Sequence, residues 1–282
     1  MAVIAYLGPE HTNTHLAAQA RFGRRSRYVH APTVDDVFRL VERERADFGV
    51  VPIENSLEGA VTHTLDRFID FRHSPVHIHG EIEQPIHHFL ILDAKTPPSR
   101  IKVVYSHPQA LAQCHRWLQE HLPKARRWET DSTAEAVVYL CDDTRGGSWD
   151  LEERAAIGRR ELAGRSPRLR PMPIPDDREN KTRFLALGLN EPRRGRRNKT
   201  SILFALRDRP GALYDALTPF KRERINLTKI ESRPSKRKAW EYYFFIDVEG
   251  HESEPRVARA LKQLARHAVF LKVLGSYPVA TR

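Results

Sequence analysis

A two-part α/β protein is what the sequence predicts, and three observations carry that prediction. Residues 1–190 alternate short apolar runs with amphipathic stretches of helical period, the pattern of a largely parallel sheet or of two smaller ones. The stretch E-P-R-R-G-R-R-N at 191–198 then breaks every periodicity and reads as a linker. Residues 199–278 resume in the order β-α-β-β-α-β, which suits a ferredoxin-like split unit of about 80 residues.

Taken in order, Val3–Leu7 is a short strand running into the turn Gly8-Pro9-Glu10. Thr12 or Asn13 caps a helix that lasts to Phe22 and stops at Gly23. Thr33 with Asp36 three residues on resembles a capping box, and Val37, Leu40 and Val41 form the apolar face of that second helix. Phe48–Ile53 is a buried strand that ends at Glu54-Asn55-Ser56. Gly59 follows, then a helix with Val61, Leu65, Phe68 and Ile69 on one face. That places the polar turn at a strand's carboxyl end and a helix's N-terminus, where open α/β sheets bind ligands and free amides favour anions.

Ile86–Leu92 and Ile101–Val104 are further strands. The second runs into Ser106-His107-Pro108-Gln109 and a helix carrying Leu111, Cys114 and Leu118. Arg126–Glu129 is a short strand, Asp131-Ser132-Thr133 caps the helix Ala134–Cys141, and Ala155–Ile157 with the Glu161 region makes one more strand–helix unit. Ile174 leads through Asp176-Asp177-Arg178-Glu179 into N-K-T-R-F-L-A-L at 180–187, a hydroxyl and an arginine at the head of a buried strand. The last part has strands at Thr200–Leu206, Leu227–Ser232, Tyr242–Val248 and Val269–Tyr277, with helices at Gly211–Arg222 and Pro255–His267.

The 282 residues suffice for two cores, and 40% hydrophobic with 29% charged residues is ordinary for a globular protein. The N-terminus M-A-V-I-A-Y-L-G-P-E has no basic n-region and no stretch is long enough to span a bilayer, so a cytoplasmic protein without a membrane partner is expected. Cys114 and Cys141 lie far apart in helical patterns and read as reduced thiols. The net charge of +11 raises nucleic acid as a partner, but the dense clusters Arg193–Arg197 and Lys236–Lys238 carry no interleaved aromatics, and an anionic small substrate explains the sign equally well. His77 and His79 share one strand face and His87-His88 follow. No third ligand has a convincing spacing, and no metal site is predicted.

Several motifs together resemble one family. Y-L-G-P-E-x-T at 6–12, V-P-I-E-N-S-L-E-G at 51–59, S-H-P-Q-A-L-A-Q-C at 106–114, D-S-T-A-E-A at 131–136 and N-K-T-R-F at 180–184 are similar to prephenate dehydratase. G-A-L at 211–213 and N-L-T-K-I-E-S-R-P at 226–234 resemble that family's ACT domain. The resemblance covers nearly the whole chain, in order. It implies a two-lobed α/β catalytic domain, periplasmic-binding-protein-like with a cleft between lobes, over residues 1–190. Lobe 1 would be about 1–84 plus 178–190 and lobe 2 about 85–177, followed by the linker 191–198 and a ferredoxin-like βαββαβ ACT domain at 199–282.

The implied activity is decarboxylative dehydration of prephenate to phenylpyruvate, a step of L-phenylalanine synthesis, with no metal and no organic cofactor. Prephenate carries two carboxylates, so its site wants cations and helix N-termini. Arg183 and the amides near Ser56 and Ser132 are candidates. Hydroxide leaves poorly and needs a proton as the C–O bond breaks; the resemblance gives that role to Thr182, read as a positioned donor. Asn55, Ser106, Gln113, Thr182 and Arg183 would contact substrate or shape its pocket, with Glu54 a second charged candidate. Thr12, Ser56, Ser132, Thr133 and Phe184 complete the implied substrate-binding set. From residue type alone, Glu54, Asn55 and Ser56 are equally turn and cap residues, Ser106 and Gln113 a cap and a solvated helix residue, and Arg183 a surface arginine.

ACT domains pair across an oligomer and bind amino acids, so L-phenylalanine is the implied effector, held by Gly211, Ala212, Leu213, Asn226, Glu231, Ser232 and Arg233, with the chain a homodimer or homotetramer. The chain departs from the family where His11, Asn13 and Thr14 replace a glycine and a small or aromatic pair, where Arg224 replaces a glycine, and at Asp131, where a glutamate occurs. Arogenate as substrate, a non-catalytic two-lobed amino-acid-binding protein, and a nucleic-acid-binding regulator with an ACT sensor are the competing readings.

Overall fold

The computed structural model describes residues 1–145, 147–175, 180–235 and 241–280. The acidic turn expected at Asp176–Glu179 and the basic cluster Lys236–Lys238 lie outside the described residues. The chain packs as two compact units: Met1–Gly8 with Thr14–Gln84 and Thr182–Arg282, and Pro9–Asn13 with Pro85–Lys181.

The first unit contains β1 (Val3–Leu7), α1 (Asn13–Phe22), β2 (Arg27–Ala31), α2 (Val34–Glu42), β3 (Phe48–Asn55), β4 (Gly59–Ala60), α3 (Thr62–Asp70) and β5 (His77–Pro85). The N-terminus of α2 forms half of the expected capping box. Thr33 accepts from Asp36 N, but the Asp36 carboxylate takes the Thr33 hydroxyl proton at 2.6 Å rather than reaching the backbone. β1 pairs in parallel with β2 and β3. β3 continues two residues beyond the predicted strand and turns back at once, β4 pairing on it with Asn55 opposite Gly59. The Glu54–Ser56 segment therefore sits in a tight hairpin. The expected helix N-terminus is not there, since α3 begins only at Thr62 and its N-cap Val61 offers no side-chain bond.

The second unit holds β6 (Phe89–Asp93), β7 (Val103–Ser106), α4 (Pro108–Gln113), α5 (His115–His121), β8 (Arg126–Glu129), α6 (Thr133–Cys141), β9 (Arg154–Gly158) and β10 (Leu169–Pro173). Its sheet runs β10-β6-β9-β7-β8, parallel from β9 to β8 and antiparallel at β6 and β10. The single helix expected after Ser106 is two, because Cys114 at φ −92°, ψ 6° breaks it. The Glu161 region is a 3-10 turn, Arg160–Arg165, rather than a helix.

β11 (Lys181–Gly188) joins the first sheet, antiparallel to β3, giving the order β2-β1-β3-β11-β5. Then come β12 (Asn198–Leu206), α7 (Ala212–Arg222), β13 (Leu227–Pro234), β14 (Tyr242–Glu249), α8 (Pro255–His267) and β15 (Ala268–Pro278). Their sheet order β13-β14-β12-β15, antiparallel throughout, is the ferredoxin-like one predicted. One face of this sheet carries α7 and α8 over Ile202, Phe204, Ile246 and Val248. The other face shares a core with the first sheet. Leu203, Ala205, Tyr243, Phe245, Leu274 and Tyr277 pack with Val51, Ile53, Leu65, Phe68, Ile78 and Leu185. Gly275 approaches so closely that a Cβ there would stand 2.3 Å from the Ile78 carbonyl oxygen.

Candidate functional site

The antiparallel register of β3 and β11 sets Thr182 opposite Asn55 and Arg183 opposite Glu54. Successive residues of a strand face opposite ways. Thr182 therefore shares its face with Phe184, which is buried among Ile4, Tyr6, Ala17 and Ala18, while Arg183 shares its face with Leu185 on the side of the C-terminal sheet. The hydroxyl and the guanidinium that stand side by side in the sequence are not brought together in space.

On the first face, Asn55 Nδ2 donates to Thr182 Oγ1 at 3.0 Å. The orientation of the Asn55 amide is set by its own turn, because Oδ1 accepts from Leu57 N at 2.9 Å and Glu58 N at 3.3 Å. Asn55 is buried; Ser56, next to it, is exposed on the hairpin.

On the second face, the Arg183 guanidinium meets Glu54 at 2.5 Å, Asp247 at 3.0 Å and Glu81 at 3.2 Å. Lys199 pairs with Glu81 at 2.8 Å and Lys229 with Glu54 at 3.3 Å. Ser201 donates to Asp247 at 2.6 Å and also lies 2.7 Å from the Tyr277 hydroxyl. Three cations thus face three carboxylates in a largely buried cluster, with Glu231 a fourth at 3.7 Å from Lys229. Burial alone would lower the pKa of Arg183, but Asp247, Tyr277, Glu54 and Glu81 overcome it and the pKa is raised. Burial would likewise raise Glu54 and Glu81; the cations beside them hold both carboxyls below their usual range. Arg183 is paired with three protein carboxylates and Glu54 with two cations, in an ion cluster between two sheets.

The second unit brings other candidates together. Ser106 ends β7 fully buried, its hydroxyl donating to Ile157 O at 2.8 Å. Gln113 Oε1 accepts from Asn180 Nδ2 at 2.9 Å and from His88 Nε2 at 2.7 Å, which selects the Nε2–H tautomer of His88. Ser132 caps α6 by accepting from Glu135 N at 3.0 Å, and Glu135 reaches back to Asp131 N at 2.9 Å. Thr133 is the first residue of that helix. Thr12 closes its own loop by donating to Pro9 O at 3.0 Å, and beside it Asn13 Oδ1 accepts from Arg159 Nη1 at 2.8 Å.

In the C-terminal module Gly211 has φ +77° at the N-cap of α7, with open space where a Cβ would be, so backbone conformation rather than crowding calls for glycine there. Ala212 and Leu213 form the first turn of α7, and Asn226 is exposed. β13 alternates strictly, so Ser232 lies on the face opposite Glu231 and Arg233. Arg233 makes a two-pronged pair with Asp66 of α3, at 2.9 and 3.1 Å. His11 at φ +67° and Arg224 at φ +54° both occupy left-handed backbone, which explains physically why glycine suits those two positions.

His88, Asn180, Glu81, Asp247, Lys199, Lys229 and Arg159 went unassigned in the sequence reading. Their partners lie far along the chain, 118 residues for Lys199 and Glu81, and no local spacing signals such pairs. Two of them lay inside quoted motifs, Asn180 at the head of N-K-T-R-F and Lys229 within N-L-T-K-I-E-S-R-P.

An α/β scaffold carrying this Thr–Asn pair and ending in a ferredoxin-like module defines a protein of the class in which an ACT domain follows an α/β part. The prephenate dehydratase model matches residues 4–192 and the ACT domain model residues 200–266. The chain is 47% identical over 277 residues to the bifunctional chorismate mutase/prephenate dehydratase of Aquifex aeolicus, covering 98% of this chain and 74% of that protein. It is 39% identical to the prephenate dehydratase of Methanocaldococcus jannaschii, covering 88% and 86%. The solved prephenate dehydratase of Arthrobacter aurescens in complex with L-Phe superposes with a TM-score of 0.86 at 33% identity, over 99% of this chain and 92% of that one. The chain belongs to the prephenate dehydratase family.

Proposed function

We propose that Thr182 is the proton donor in the conversion of prephenate to phenylpyruvate, water and carbon dioxide. The observation that carries this reading is the 3.0 Å bond from Asn55 Nδ2 to Thr182 Oγ1. An amide nitrogen only donates, so the threonine oxygen accepts and its own proton is left to point at a leaving group. In the reaction the ring C–O bond takes a proton as it breaks, the C–C bond to the ring carboxylate releases CO2, and its electron pair completes the aromatic ring. Solvent then returns one proton to Thr182. Threonine is a weak acid, so the step relies on positioning and on the driving force of aromatisation rather than on a matched pKa.

In this reading Asn55 positions Thr182, Arg183 and Glu54 hold the strand that carries it, and Phe184 is wall. Ser106, Gln113, Ser132, Thr133 and Thr12 are the further substrate-binding candidates that the family resemblance implies. L-phenylalanine is the effector, bound around Gly211, Ala212, Leu213 and Asn226; the L-Phe complex of the Arthrobacter relative supports this. Association through the ACT domains, as a homodimer or homotetramer, belongs to the same reading.

The test is phenylpyruvate formation from prephenate by wild type, Thr182→Val and Thr182→Ser, with arogenate run in parallel. Valine keeps the shape and removes the proton, and a kcat loss of about 10²–10⁴-fold is expected, with serine retaining most activity. Equal rates for wild type and Thr182→Val overturn the assignment, and a preference for arogenate replaces the substrate. Calorimetric titration with L-phenylalanine, with Gly211→Ala alongside, tests the effector; no heat from wild type removes it.

A further inference from the structure

We infer that Thr64 is a positioning residue for Thr182, because it clamps a bulge in β3 that decides which side chain the Thr182 hydroxyl meets. The inference rests on Thr182 as the proton donor proposed above.

The register of β3 on β11 slips by one residue. Phe184 stands opposite Pro52 yet Arg183 stands opposite Glu54, so Ile53 is an extra residue on the β3 side. Ile53 and Glu54 consequently share a face. Ile53 lines the same small cavity as Arg183, and Glu54 pairs with that guanidinium. Two successive residues on one face are the mark of a bulge, a device that re-aims side chains.

The slip matters for the chemistry. In an unbroken ladder Ile53 would stand opposite Arg183, and Glu54 opposite Thr182. A carboxylate only accepts, so it would take the Thr182 proton. Asn55 instead donates from Nδ2 to Thr182 Oγ1 and leaves that proton available. Pro52 fits the same account, since β3 is an interior strand and proline is admitted there only at a bulge.

The start of α3 holds the bulge. The Pro52 carbonyl accepts from Thr64 Oγ1 at 2.6 Å, and the Ile53 carbonyl accepts from Val61 N at 2.9 Å. A helical threonine commonly turns its hydroxyl back to the carbonyl four residues earlier; Thr64, fully buried, reaches out of its helix to the strand. The helix is itself fixed. Asp66 accepts both prongs of Arg233 at 2.9 and 3.1 Å, Arg67 pairs with Asp35 at 2.9 Å, and Leu65, Phe68 and Ile69 lie in the core. Loss of the Thr64 hydroxyl therefore loosens the bulge rather than the helix, and the bulge carries Asn55.

The experiment compares the full chain with Thr64→Val, Thr64→Ser, Asn55→Ala and the double variant Thr64→Val/Asn55→Ala. The readouts are prephenate turnover, thermal unfolding and the NMR signal of the Asn55 side-chain amide. Valine keeps the shape and removes the hydroxyl. It should lower kcat about 10-fold with KM near that of wild type, and shift the Asn55 amide signal, with serine restoring both. In the Asn55→Ala background it should lower kcat no further, because it acts through that amide. An unmoved amide signal overturns the proposal, and so do an unchanged kcat or losses that simply multiply. If Thr64→Val does not fold, Val61→Pro removes the other clamp at a φ of −79° that proline accepts, and the same outcomes decide. An amide signal that shifts while Thr182→Val turns over prephenate as fast as wild type removes the proton-donor reading instead.

Discussion

Arg183 and Asp247 meet at 3.0 Å, tying the strand that carries Thr182 to the middle of the C-terminal sheet. The contact runs between β11 and β14, and Ile53, Phe68, Phe245 and Leu274 line a small cavity together with these charged groups. In such surroundings the pair is tolerable only because the partner charges of Glu54, Glu81, Lys199 and Lys229 complete it. A shift of the C-terminal sheet would therefore bear on Arg183 before it bore on any other residue of the N-K-T-R-F stretch.

Removing one member of the cluster leaves an uncompensated charge. Arg183→Met is expected to cost about 3–5 kcal/mol of stability, read from the midpoint of denaturant unfolding. Adding Asp247→Asn to it should recover part of the loss, whereas independent sites would simply add.

Stability should have two pH edges. Glu54 and Glu81 have folded pKa values below the ordinary 4.5, so their contribution is present above that value and is lost as pH falls through the folded values. Burial, with Asp247 and Glu81 beside it, raises the Tyr277 pKa well above 10.0. The unfolded chain then ionises first, and stability is lost as pH rises beyond 10 toward the folded value. Denaturant midpoints measured from about pH 3 to about pH 11 check both edges, and Tyr277→Phe should flatten the alkaline one.

Asn55→Ala removes both the bond to Thr182 and the closure of the Leu57–Glu58 turn. A kcat loss of about 10–100-fold is expected, with a stability cost of about 1–3 kcal/mol for the stranded turn amides. Asn55→Asp separates the two effects. A carboxylate can still close the turn but cannot donate to Thr182, so the fold should hold while activity falls in the phenylpyruvate assay.

Gly275→Ala should be among the most damaging small substitutions. Its Cβ would meet the Ile78 carbonyl at 2.3 Å, and a backbone atom cannot step aside as a side-chain tip does. Overpacking of this kind costs about 1–3 kcal/mol or more, measurable as a lowered Tm.

The strands that show as unbroken apolar runs, such as Phe48–Ile53 and Phe184–Leu187, could be read from the sequence, as could the helices opened by Thr33 and Ser132. β2 could not, because Arg27–Ala31 is an edge strand with polar residues and no apolar run, nor could β10, which contains Pro171 and Pro173. The break at Cys114 leaves no trace in the spacing of Leu111 and Leu118. At the site, adjacency misled: Thr182 and Arg183 are neighbours in sequence, and the strand turns them apart. Pairs such as His88 with Gln113 and Arg159 with Asn13 join residues 25 and 146 positions apart and are settled only by the fold.

The ion cluster also limits what can be exchanged between relatives. On the side before the linker stand Glu54, Glu81 and Arg183; on the side after it stand Lys199, Lys229, Asp247 and, 3.7 Å from Lys229, Glu231. Glu54, Glu81 and Asp247 each find a cation across the linker, in Lys229, Lys199 and Arg183. A chimera that took its ACT domain from another member of the family would fold well only if the graft brought those partners, so the two parts of this chain are bound to vary as a pair.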